Sequence, residues 1–112
     1  MKLTDLEPSF LKWKDDSHYE KTDQLVGADG IIFLCPKCFC INGVATGTHR
    51  IVCWAPHVPQ TTFPRPGRWN LVGSGYKDLT LVNGSSSVLV RRVPGEPDHW
   101  HGYVRNGEVT NC

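Results

Sequence analysis

Three of the chain's five cysteines, Cys35, Cys38 and Cys40, fall inside one short stretch, FLCPKCFC. Cys35 and Cys38 flank Pro36 and Lys37 in a C-x-x-C spacing that suits a tetrahedral metal, a redox pair or a disulfide. A metal is the favoured reading, ahead of two buried thiols acting as small hydrophobes and ahead of a redox pair. A thioredoxin-like redox pair sits between a strand and a helix. Here Asn42 and Gly43 follow almost at once, which argues against a helix. Five cysteines cannot pair off completely, so a disulfide framework is not expected.

The other half of a metal site is sought at the C-terminal end, HWHGYVRNGEVTNC. Asn106 and Gly107 are the strongest two-residue signal for a type I′ hairpin, because both positions need positive φ. That turn sets Arg105 opposite Glu108, Val104 opposite Val109, Tyr103 opposite Thr110, Gly102 opposite Asn111 and His101 opposite Cys112. Opposed Cβ atoms lie roughly 5 Å apart, close enough for an imidazole and a thiolate to share an ion. The predicted metal set is therefore Cys35, Cys38, His101 and Cys112, with Asp98, His99 and Cys40 competing for the fourth place. One structural Zn2+ is the expected cofactor, since zinc accepts mixed thiolate and imidazole ligands without redox chemistry.

The remaining candidates receive blander readings. Cys53, in RIVCW, reads as a core residue of a strand, and His49 as a structural or solvent-facing strand residue. His18 and His57 lie in polar or proline-rich segments and read as surface residues. Trp69 and Trp100 read as core anchors before they read as stacking platforms.

The elements that must position these residues are short. Leu3, Leu6, Phe10, Leu11 and Trp13 have a rough helical spacing broken at Pro8, which predicts at most one or two turns of helix. Residues 15–24 are polar and read as solvated. From GADG onward the chain reads as strands: Ile31–Leu34, His49–Trp54, Trp69–Val72, Leu79–Val82, Val88–Arg92 and the terminal hairpin. Residues 55–68 hold four prolines and read as an ordered surface loop, not a central strand.

A chain of 112 residues, 39% of them hydrophobic, has enough apolar mass for one modest core. Its 11 glycines and 8 prolines interrupt it too often for long helices. The expected fold is mainly β: a single small zinc-stapled β domain over residues 1–112, with short strands, a proline-rich loop and at most a short N-terminal helix. Twelve basic and 11 acidic residues leave a net charge of +1, so no bulk field draws the protein to nucleic acid or an anionic membrane. No apolar run resembles a secretory signal or a membrane span, and a cytoplasmic location is expected.

Taken in order, FLCPKCF, GTHRIVCW, PGRW, SVLV and HWHGYVRNGEV resemble a family of small proteins of unknown function from phages and bacteria. Its members share an early cysteine cluster and an aromatic-His-Gly-aromatic segment ending in a two-residue turn. The likeness runs from about Leu3 to Val109. It implies a compact zinc-binding β domain with Cys35, Cys38 and His101 at ligand positions. Many relatives carry a cysteine three residues before that histidine, where this chain has Asp98, and so Asp98, His99 or Cys112 would replace it.

The expected role is that of a structural-zinc protein-interaction module, phage or prophage encoded and acting on a host or phage protein, with no catalytic residue assigned. A zinc hydrolase is one alternative, because DHWH is similar to the acidic-x-x-His segment of phage peptidoglycan carboxypeptidases. Those enzymes also carry an upstream His-x6-Asp pair, and the position seven after His49 is Pro56. Nucleic-acid binding is the other alternative, through Arg65, Arg68, Arg91, Arg92 and Arg105 with Trp69 and Tyr76 interleaved.

Overall fold

A computed structural model of the chain describes residues 1–83, 88–90 and 99–110. The architecture is mainly β, with one short α-helix and several small antiparallel sheets, in agreement with the fold class expected. The largest sheet has four strands: β1 (Ser9–Asp15), β2 (His18–Thr22), β3 (Gly30–Leu34) and β4 (Arg50–Trp54). They are arranged β2-β1-β3-β4, and every neighbouring pair is antiparallel.

The N-terminal segment has the short turn of helix expected, but its apolar spacing then runs on into a strand. Only Leu3–Leu6 turns, as a 3-10 helix ended by Glu7 in a left-handed conformation (φ 48°), and the chain then enters β1. The pattern misleads because β1 is buried on both faces. Phe10 packs into the main core and Leu11 into a second cluster with Ile32, Trp54 and Val58. Two adjacent apolar residues in a strand serve opposite faces, whereas on a helix they would share one stripe. Residues 15–24 are exposed as expected, apart from the half-buried Thr22, yet they build a hairpin: Ser17 donates its backbone N–H to Asp15 Oδ1 (2.8 Å), and β2 follows.

β3 is buried along its whole length and carries the chain through the middle of the sheet. Directly after it comes α1 (Pro36–Asn42), a helix where the sequence argued against one. Pro36 occupies its first turn, where a missing N–H costs nothing, and Gly43 closes it at φ 72° by donating to the Phe39 carbonyl at 2.7 Å. Asn42 and Gly43 end this helix; they do not prevent it.

The loop over residues 55–68 is organised around one side chain. Prolines contribute carbonyls but no N–H donors, so the loop has more acceptors than its own backbone can satisfy. The Arg68 guanidinium donates to the carbonyls of Val58, Pro59, Thr62, Pro64 and Gly67 at 2.6–3.0 Å. Burial lowers its pKa.

Three two-stranded ladders complete the fold: β5 (Asn70–Val72) with β6 (Thr80–Val82), β7 (Val88–Val90) with β8 (Trp100–Gly102), and β9 (Val104–Arg105) with β10 (Glu108–Val109). The last pair has the expected register, Arg105 opposite Glu108 and Val104 opposite Val109. Asn106 and Gly107 both have positive φ (48° and 75°). Tyr103 and Thr110 continue the pairing, with Thr110 N–H donating to the Tyr103 carbonyl at 3.0 Å. The N-terminus clasps this hairpin, as the Met1 amine donates to the Val109 carbonyl (2.9 Å) and Leu3 N–H to that of Gly107 (2.9 Å). Among the described residues, no helix is long and apolar enough to cross a membrane.

Candidate metal centre

Four side chains from three separate parts of the chain converge beside α1. Cys35, Cys38, His49 and His99 each present one donor atom, and these atoms all lie within 4.8 Å of one another. Local structure accounts for each position. Cys35 is the N-cap of α1 and Cys38 lies one helical turn on, so both sulfurs leave the same side of the helix. His49 faces Cys35 across the sheet. The β3–β4 register pairs Leu34 with Arg50, and one step further Cys35 donates its N–H to the His49 carbonyl at 2.8 Å. His99 is set by the strand that follows it, since Trp100 is buried with its ring edge-on to Phe33 (6.4 Å between centroids, 83°). The His99 backbone is held in turn by the Val90 carbonyl, at 2.8 Å.

His99 Nε2 is the hub. It lies 3.3 Å from Cys35 Sγ, 3.2 Å from Cys38 Sγ and 2.9 Å from His49 Nε2. A tetrahedral zinc with bonds of about 2.3 Å to sulfur and about 2.05 Å to nitrogen has S···N edges of about 3.5 Å and N···N edges of about 3.3 Å. The three edges through His99 therefore need to open by only a few tenths of an ångström to match a tetrahedral ion. Cys35 is fully buried, Cys38 is 9% exposed, and the two histidines are half-buried. Burial pushes the Cys35 thiol up, and the neighbouring Cys38 sulfur adds to this; the backbone N–H groups of Cys38 and Lys37 point at the Cys35 sulfur and act the other way. A cation among these donors would reverse the balance by favouring thiolates, whose charge those two amides already stabilise.

The structure brings together two of the four ligands expected from sequence, Cys35 and Cys38, and adds His99, which was a competing candidate. His101 is not in the group. It sits on β8 opposite Leu89 and is exposed, because strand alternation turns Trp100 and Gly102 inward and His101 outward. Cys112 and Asp98 lie outside the described residues. Cys40 is on the exposed side of α1, about 200° around the helix from Cys38. Cys53 is buried in β4 as expected, with its thiol pushed up to about 12 by burial alone.

His49 was the residue that sequence reasoning assigned elsewhere. Pairing the two apolar runs Ile31–Leu34 and Ile51–Trp54 as neighbouring antiparallel strands, with the chain between them closing the hairpin, would have set His49 against Cys35. Comparison of the chain with protein-family models, with curated proteins and with solved structures finds no match.

Proposed function

We propose that this chain is a structural-zinc protein-interaction domain in which Cys35, Cys38, His49 and His99 hold one Zn2+. The observation that carries the reading is the convergence of two thiols and two imidazoles, drawn from a strand–helix junction, a strand start and a distant strand start. Two sulfurs and two nitrogens suit zinc better than the oxygen-preferring magnesium or calcium. Such an ion would tie β3, β4 and β8 at a point where α1, with seven residues, offers little packing of its own.

Four protein donors leave a tetrahedral ion no position for an activated water, which supports a structural role over the hydrolase alternative. With chemistry set aside, the domain acts through its surface, and the resemblance to small phage and bacterial proteins makes a host or phage protein the expected partner. Ile41 and Val44, 74% and 56% exposed beside the centre, add apolar surface that a partner can cover.

The test is elemental analysis of purified protein combined with cobalt substitution. One metal per chain, with the intense charge-transfer and visible bands of a tetrahedral thiolate site, is the expected result. Absence of stoichiometric metal, together with a melting curve unchanged by excess chelator, would overturn the reading.

A further inference from the structure

β4 is an outer strand of the four-stranded sheet, and its outer edge opens into a cleft of about 650 Å³. The hydrogen bonds identify which groups face that edge. Cys35 N–H donates to the His49 carbonyl and Ala55 N–H to that of Asp29, so the odd-numbered residues of this segment pair inward with β3. Arg50, Val52 and Trp54 therefore point their backbone groups outward. Trp54 has its carbonyl taken by Trp69 N–H at 2.9 Å, which closes one end of the edge. Among the described residues, nothing pairs with the outward N–H and C=O of Arg50 and Val52.

The cleft opposite is walled by β7, whose Leu89 is 42% exposed. Its rim is cationic. Arg65 is held over the Phe63 ring at 4.5 Å, and Arg50 already attracts an acid of this chain, Glu7, at 3.8 Å on the surface. An apolar trough with two arginines and a row of unmet main-chain groups matches an extended chain carrying apolar and acidic side chains on alternate faces. A nucleic acid would use the arginines and leave the backbone donors and acceptors of Arg50 and Val52 unused.

We propose that this cleft binds an extended apolar-acidic peptide segment of a partner protein, which adds to the β4 edge as a fifth strand and places a carboxylate against Arg50 and Arg65. The proposal rests on the interaction-domain reading, and names the surface and the chemistry of the partner. His49 lines the same cleft, so the metal centre buttresses the edge where the peptide lies.

The experiment is a 1H–15N NMR titration of the metal-loaded full chain with an acetylated, amidated Val-Glu-Val-Glu-Val-Glu peptide. Saturable shifts at the Arg50 and Val52 amides are expected, with solvent exchange there slowed by at least about tenfold. The Arg50→Ala/Arg65→Ala variant should weaken this peptide by about fivefold or more while leaving a Val-Gln counterpart unchanged. N-methylating the peptide amides, which leaves the protein untouched, should abolish binding. Binding that survives N-methylation overturns the strand-addition proposal, as do absent shifts at millimolar peptide. The same amides responding only to oligothymidylate, or shifting with protein concentration alone, assigns the edge to nucleic acid or to a second copy and also overturns it. Metal content measured on the same sample separates the two ideas. A loaded chain that ignores the peptide sinks the cleft alone, whereas a metal-free chain sinks the zinc reading while its own titration still decides the cleft.

Discussion

Replacing His49 and His101 in parallel separates the metal set assembled by the structure from the one suggested by the hairpin register. Structural zinc sites contribute an apparent free energy of about 10–16 kcal/mol, and an even division over four ligands puts about 2.5–4 kcal/mol on each. His49→Ala should therefore weaken zinc binding by roughly 70- to 900-fold. For a domain of this size each kcal/mol is worth roughly 4 °C, so the zinc-saturated protein should melt about 10–16 °C lower. His101 is exposed on β8, where a substitution changes stability by no more than about 0.5 kcal/mol, or roughly 2 °C. Competition with a colorimetric zinc chelator reads the affinities, and differential scanning fluorimetry in buffered zinc reads the melting temperatures. His99→Ala should behave as His49→Ala does. Zinc lost from His101→Ala or Cys112→Ser but retained by His49→Ala would refute the assignment and restore the hairpin-derived pair.

Other consequences follow from residues outside the centre. Burial pushes the Cys53 thiol up to about 12 from an ordinary 9.0, so the folded state keeps a proton that the unfolded chain releases. The stability this group contributes is complete below pH 9 and is lost as pH rises towards 12, by roughly 4 kcal/mol at the upper end. Urea titrations of wild type and Cys53→Ala should differ in slope only across that window, and parallel curves would contradict it. Asp78 accepts hydrogen bonds from the Ser74 and Gly75 backbone N–H groups and from the Ser74 hydroxyl, which hold its carboxyl below the usual 3.8. Its contribution is present above that pH and lost below it, so Asp78→Asn should lower the melting temperature at pH 7, with the gap closing as the solution is acidified. Gly107→Ala forces a side chain into a left-handed turn (φ 75°) and against the Lys77 carbonyl. The backbone alone should cost about 1–2 kcal/mol in chemical denaturation, and an unchanged midpoint would deny the type I′ turn.

Much of the framework was legible in the residues themselves because its causes are local. Asn106-Gly107 specified a turn type, and a turn type specifies which residues oppose one another, so the β9–β10 register follows from the sequence. The apolar runs around Ile31–Leu34 and Ile51–Trp54 marked β3 and β4, and the C-x-x-C spacing marked two donors on one turn. Where reading along the chain failed, burial on both sides or capping was responsible. β1 buries Phe10 and Leu11 in different clusters, which erases the alternation that identifies a strand, and Gly43 acts as the cap of α1 where it had read as a barrier to helix.

By itself, then, the sequence determined that this is a small, strand-rich chain carrying a cysteine pair fit for a metal, with a two-residue hairpin near its C-terminal end. Which imidazoles meet those thiols was decided only by tertiary structure. Cys35 meets His49 through the pairing of β3 with β4 across the intervening helix, and His99 arrives because Trp100, one residue on, buries its ring against Phe33. Neither juxtaposition is encoded in spacing along the chain. Each depends on a strand register and a core contact between distant segments, where one residue of slip would turn the imidazole to the opposite face.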